Sequence, residues 1–152
     1  MPTLTGTNTF SGANTFSGTV SGLQITRTLI VKAIFDTDAL TTGDGQTYIT
    51  VPSEYNGMHL TVASAHVYTA STSGTPTVQI AKASIADYTT FVDMLTTRIT
   101  IDENEYDSAG ATAPVVINTT YYAVATSNIL RIDVDVAGTG TKGMEVCLQF
   151  QK

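Results

Sequence analysis

Few side chains in this sequence are suited to chemistry, and their spacing sorts them quickly. Asp133 and Asp135 alternate with apolar residues along Leu130 to Val136. On a strand both carboxylates point the same way, roughly 7 Å apart. Glycosidases hold their paired carboxylates about 5–9.5 Å apart. Alternating charges on an ordinary outer strand face give the same pattern without catalysis, and that is the reading preferred here. His59 and His66 stand seven residues apart. On a regular strand they face opposite sides, so they could share a metal only across subunits. Asp102, Glu103, Glu105 and Asp107 make an acidic loop of the kind calcium favours. Tyr106 occupies a ligand position, however, and Asp107 stands where a calcium loop needs glycine. A solvated loop is the better description. Cys147 falls on the outer side of the last strand with no histidine near it in sequence, which gives a nucleophilic role no support. It is covered by a neighbouring subunit or strand, or it is a free thiol. No serine sits in a nucleophile elbow. The glycines from Gly138 to Gly143 join two strands, whereas a phosphate-binding loop opens a helix. The expectation is a protein that is not an enzyme, with no catalytic residue, cofactor or metal.

Tyrosine offers a different kind of site. Tyr55, Tyr106, Tyr121 and Tyr122 lie in expected loops, where exposed rings can stack on sugars or anchor a protein partner. The chain has no tryptophan, which weakens a sugar site and favours ordinary loop packing.

Composition narrows the function classes. At 152 residues the chain suits one domain of about 130 residues plus an arm. Its net charge is −6 and charged residues make up only 13%. No Lys/Arg cluster exists to replace phosphate counterions, so nucleic acid is not an expected partner. An anionic membrane surface is disfavoured for the same reason. No run approaches 18 apolar residues, and the N-terminus lacks the basic start and apolar centre of a secretory signal. A single cysteine excludes an internal disulfide. Without a secretory signal, the sequon Asn118-Thr119-Thr120 reads as an accident.

The elements that must position these residues are strands. Leu29 to Phe35 is apolar on both faces apart from Lys32, which fits a buried strand or one lying in an interface. Asp36 to Gly45 reads as a loop. Met58 to Ala70 holds the longest strand, where a bulge near Ser64 would reconcile Met58, Leu60 and Val62 with Val67. Ser84 to Thr90 could hold one helical turn. Leu130, Ile132, Val134 and Val136 share a face, as do Met144, Val146, Leu148 and Phe150, and the short loop between the two runs predicts a hairpin. About eight strands and no long helical period predict an all-β protein: an antiparallel β-sandwich, jelly-roll-like, over residues 29–152.

Residues 1–28 read as an extended arm. Glycine recurs every six residues at Gly6, Gly12 and Gly18, each two places after Leu4, Phe10 or Phe16. Val20 and Gly22 repeat the pair after a shorter step, and no side chain from Met1 to Thr26 is charged. Ordering a residue costs roughly 1–2 kcal/mol. Burying one large apolar side chain returns only about 1.5–3 kcal/mol. One copy of the arm cannot meet that cost, whereas symmetric copies can pack Leu4, Phe10, Phe16 and Val20 against their equivalents. Cyclic symmetry closes such an assembly, with a trimer preferred.

Three stretches resemble a domain of tailed-bacteriophage virion proteins. They are Val67-Tyr68-Thr69-Ala70-Ser71-Thr72-Ser73-Gly74-Thr75-Pro76-Thr77-Val78-Gln79-Ile80, Asp93-Met94-Leu95-Thr96-Thr97, and Arg131 to Gly143. The Asn-Thr-Phe-Ser-Gly repeats are similar to segments of phage fibre proteins. The resemblance implies a head-fibre or capsid-decoration protein, typically a homotrimer, located on the capsid surface of the virion. Its N-terminal arm would bind the major capsid protein or another virion protein while a β domain faces outward. A tail-fibre or receptor-binding module that recognises a host surface glycan is the alternative. The chain is far shorter than a complete long tail fibre, which favours the capsid appendage.

Overall fold

A computed structural model describes residues 24–152. The repeat residues Leu4, Phe10, Phe16 and Val20 lie outside the described residues. Strands dominate, joined by turns and one 3-10 turn at Ser53–Tyr55; the described residues contain no α-helix. In chain order the strands are β1 (Thr26–Ala39), β2 (Gly43–Thr50), β3 (His59–Thr69), β4 (Thr77–Ser84) and β5 (Asp87–Asp93), then β6 (Leu95–Thr97), β7 (Ile99–Thr100), β8 (Val116–Ile117), β9 (Ile129–Val136) and β10 (Lys142–Gln151). Ten strands stand where about eight were expected. The addition with the clearest cause is β5, which occupies part of the segment read as a possible helical turn. Its residues are mostly exposed and carry no apolar period.

The strands form an antiparallel sandwich. The first sheet runs β1-β10-β3, and the second runs β2-β9-β4-β5 with β7 also on β4. A small third pair, β6-β8, lies apart from both. A jelly roll of two four-stranded sheets is not completed on the first sheet. Loops occupy the free edge of β3 instead: the Leu60 N–H donates to Tyr122 O at 2.9 Å and the Val67 N–H donates to Tyr106 O at 2.7 Å. The arm boundary drawn at residue 28 falls inside β1, which already pairs Thr26 with Gln151. The loop expected over 36–45 shrinks to three residues, because β1 continues to Ala39 through polar, exposed positions.

The expected hairpin is not a hairpin. Both runs alternate as read, yet β9 pairs with β2 and β4 while β10 pairs with β1 and β3. The five residues between them carry the chain from one sheet to the other. Alternation shows that a strand has one buried face. It does not show whether its sequence neighbour lies beside it or across the core. Leu130, Ile132 and Val134 on one side and Met144, Val146, Leu148 and Phe150 on the other are fully buried. Val136, assigned to the same face, is exposed at the strand end.

The bulge in β3 exists, but nearer the start of the strand. Leu60 pairs with Phe150 and Val62 with Gln149, so Thr61 is the extra residue. The buried set therefore switches from Leu60 to Ala63, Ala65 and Val67. At the far end, buried Ser71 ties three loops together. Its Oγ donates to Ser73 O at 2.7 Å and accepts from the Thr139 N–H at 3.1 Å, while its carbonyl accepts from the Asn104 N–H at 2.8 Å. Gly143 lets β10 pass under β1: its φ is +60°, and a Cβ there would meet Asp36 Cα at 2.7 Å.

Truncation of either inner face should be costly. Ile132→Ala and Leu148→Ala should each lower unfolding free energy by about 2–5 kcal/mol in urea titration. Exposed Ile85→Ala should stay within about 0.5 kcal/mol of the parent. Equal effects at all three positions would contradict this core.

Candidate interaction surfaces

Asp133 and Asp135 share a side of β9, but Asp133 is not on an open outer face. It is 2% exposed. Its carboxylate accepts the Gly45 N–H at 2.7 Å and two bonds from Arg131, Nη2 at 2.8 Å and Nε at 3.0 Å. Arg131 also pairs with Asp44 at 2.8 Å and lies 4.4 Å over the Phe91 ring. Burial pushes the Asp133 carboxyl up, and the Gly45 N–H and the Arg131 guanidinium pull it back. Asp135 pairs with Arg98. Each carboxylate is thus committed to its own arginine, and Asp133 holds the turn at Gly43–Gly45 against β9.

The bulge at Thr61 overturns the expected placement of the histidines. Both His59 and His66 lie on the side of β3 away from the core. Seven residues of strand still separate them by roughly 23 Å. His59 stacks on Tyr122, with ring centroids 4.4 Å apart, and His66 meets Tyr68 edge-on at 5.6 Å. Among the described residues no group of three His, Cys, Asp or Glu side chains is placed to hold a metal.

Two carboxylates of the acidic loop, Asp102 and Asp107, are bonded within the loop itself. Asp102 accepts the Thr112 hydroxyl at 2.7 Å and the Thr112 N–H at 2.9 Å, bonds that hold its carboxyl below the usual range. Asp107 accepts the Ala109 N–H at 2.8 Å. Asp87 behaves likewise: the Thr89 hydroxyl and the N–H groups of Thr89 and Thr90 depress its carboxyl strongly.

The four tyrosines are not gathered into one site. Tyr55 is buried, with its ring edge-on to Phe150 at 5.4 Å and its hydroxyl donating to Thr28 O at 3.2 Å. It is a core residue, because the 3-10 turn at Ser53–Tyr55 points it inward. Tyr122 is half-buried against His59. Tyr106 and Tyr121 are exposed, but their loops bond to opposite ends of β3, beside Val67 and Leu60 respectively.

The sequence leaves Leu29 to Phe35 as either a buried strand or one lying in an interface, and the structure gives it one face of each kind. The two-faced apolar run Leu29 to Phe35 places Leu29 and Val31 toward the core and Ile30 away from it. Across the sheet Ile30 pairs with Cys147, and Cys147 with Ser64; one row along, Gln149 pairs with Val62. Ile30 is 63% exposed and Phe35 is 74% exposed. Val62 and Tyr68 are also exposed on this side. The loop at Asp107–Ala109 walls it, leaving a cavity of about 160 Å³ over Ser64, His66, Glu145 and Cys147. The second sheet differs: Gln79, Ala81 and Asp133, on its outward side, are all buried. Gln79 Nε2 donates to Leu95 O at 3.1 Å, so the segment carrying β6 covers that face.

No family model, curated protein or solved structure matches the chain.

Two predictions follow from the carboxylates. Asp133→Ala leaves mostly buried Arg131 without its buried partner and should cost about 3 kcal/mol in urea unfolding; Asp135→Ala, at a more exposed pair, should cost less than about 1 kcal/mol. The folded-state pKa values of Asp87 and Asp102 lie below the free value of 3.8. Their contribution is therefore complete above that pH and is lost as pH falls through the folded values. The urea midpoint should fall below about pH 4, and less steeply in Thr112→Val; an identical acid profile in that variant would refute the assignment.

Proposed function

We propose that the protein is a structural virion component of a tailed bacteriophage: a homotrimeric, capsid-attached head fibre or decoration protein. The residues that precede β1 serve as the docking arm. Leu4, Phe10, Phe16 and Val20 are its apolar contacts to the major capsid protein or another virion protein, and to the equivalent residues of neighbouring copies. The sandwich is the displayed knob. One observation carries this reading: the uncharged, phenylalanine-spaced repeat leads within a few residues into β1, a strand bonded on one side whose outward apolar residues are exposed. Such a strand is a liability in a lone chain and an asset in an assembly. The internal pairing of Asp133 and Asp135 and the hydrogen-bonded acidic loop agree with a display role rather than turnover.

Exposed Tyr106 and Tyr121 are the specific feature favouring the second reading, a receptor-binding module for host glycan. Their separation along β3 gives a sugar no joint platform, which makes it the lesser reading.

The arm is the place to test the proposal. Full-length chain carrying Phe10→Ser and Phe16→Ser should be incorporated into particles at less than a tenth of the parent copy number, measured by quantitative mass spectrometry, because hot-spot aromatics dominate such contacts. Tyr106→Ala and Tyr121→Ala should leave incorporation unchanged. Normal incorporation of the double Phe variant would overturn the anchoring role. Glycan-array binding lost on Tyr106→Ala or Tyr121→Ala would instead favour the second reading.

A further inference from the structure

We propose that the outer face of the β1-β10-β3 sheet, together with the open edge of β1, is the seam against which a second copy of this chain packs. The inference rests on the multimeric part of the function proposed above and adds which surface forms the contact. It begins with hydrogen bonding. β3 has its outer edge covered by the loops carrying Tyr106 and Tyr122, whereas β1, 14 residues long, has β10 as its only strand neighbour among the described residues, and beyond that only the Tyr55 and Thr47 hydroxyls donate to it, at Thr28 O and Ala33 O. Long apolar edges of this kind are normally blunted by charge, proline or a covering loop. Here Lys32, Asp36, Asp38 and a bulge at Ala33 confine that blunting to β1 from Lys32 onward, where Lys32 donates to Asp36 at 2.6 Å and lies 3.9 Å over Tyr68; the stretch through Ile30 has none of these.

The face itself is low in charge where it is most open. The rows Thr28–Gln149–Val62 and Ile30–Cys147–Ser64 contain no ionisable group except the thiol. On the second sheet the outward residues Gln79, Ala81 and Asp133 are buried by this chain, while Tyr48 and Tyr88 toward its edges stay exposed. Chain direction supplies the occupant. The uncharged repeat runs into β1, so an axis gathering the arms of several copies also brings their β1 strands together. Area supplies a further reason for continuity between face and edge. Three strands about ten residues long present roughly 500 Å² in projection. A standard interface takes about 800 Å² from each partner. The face falls short alone, and the strand edge beside it extends it.

The single cysteine makes the seam measurable. Cys147 sits in the middle of this face and is half-exposed in one copy. Full-length protein should run as an oligomer by native mass spectrometry, with Cys147 reacting with a maleimide at least about tenfold more slowly than in the Ile30→Asp chain, a change typical of a lost contact at an interface centre. Ile30→Asp and Val62→Asp should shift the mass toward the monomer with circular dichroism unchanged, since both side chains are exposed. Ile85→Asp, equally exposed but at the β4-β5 turn, should leave the oligomer intact. An oligomer whose Cys147 reacts as fast in the parent as in Ile30→Asp would overturn the seam while leaving assembly through the arm standing. A parent chain that is monomeric would overturn both. If Ile30→Asp failed to fold, the parent's labelling rate compared with that of Val62→Asp would decide the matter.

Discussion

The sandwich depends on two strands that face each other without touching edge to edge. β9 is central in one sheet and β10 is central in the other, and five residues carry the chain between them. Each central strand supplies every second side chain to the core, and those side chains are fully buried. A register slip of one residue in either would turn that set outward. The surrounding features serve the same alignment. Thr61 bulges so that β3 can present Leu60 and then Ala63, Ala65 and Val67 to β10. Asp133 fixes the start of β2 on β9 through Gly45. Ser71 closes the loop end where β9 leaves for β10.

That arrangement uses up the chemistry. The paired aspartates of β9 and two carboxylates of the acidic loop, Asp102 and Asp107, are engaged in structural bonds. Asp133 is neutralised by Arg131 and Asp135 by Arg98, while the Thr112 hydroxyl and N–H hold Asp102 in its charged form. Ile30, Phe35, Val62 and Tyr68 remain open on the first sheet, and its rows through Ile30 and Val62 are uncharged apart from the Cys147 thiol. A surface of that kind recognises by shape and desolvation rather than by charge. The low charge content of the chain points the same way, since it leaves a large share of the exterior to threonine, serine and apolar groups.

Much of the fold is legible in the sequence because period-two alternation is a direct imprint of one-sided burial. Leu130 to Val134 and Met144 to Phe150 show it without ambiguity, and the all-β sandwich follows. The partner of each strand is not legible. The hairpin reading of β9 and β10 failed because a short loop serves a hairpin and a cross-sheet connection equally well. Tyr55 was assigned to the surface because it sits among turn residues; only the three-dimensional path of the 3-10 turn carries it onto Phe150. The histidines share a side because one extra residue lies between them, whereas the opposite-sides expectation assumes a regular strand; the position of that residue, Thr61 rather than Ser64, is set by pairing with β10. The open face of the first sheet left one trace, the two-faced apolar run in β1, and choosing between its buried and interface meanings required knowing that β1 lies at an edge.

The account holds that the molecule works by joining copies of itself along β1 and the arm that precedes it, and by fixing the result to a larger shell. A cryo-EM map of the intact particle tests this most directly. It should show three knobs around an axis, with Ile30 and Phe35 of each buried against a neighbour and the N-terminal residues directed at the capsid. Knobs that stand singly, or that meet through the β2-β9-β4-β5 sheet with Ile30 facing solvent, would contradict it.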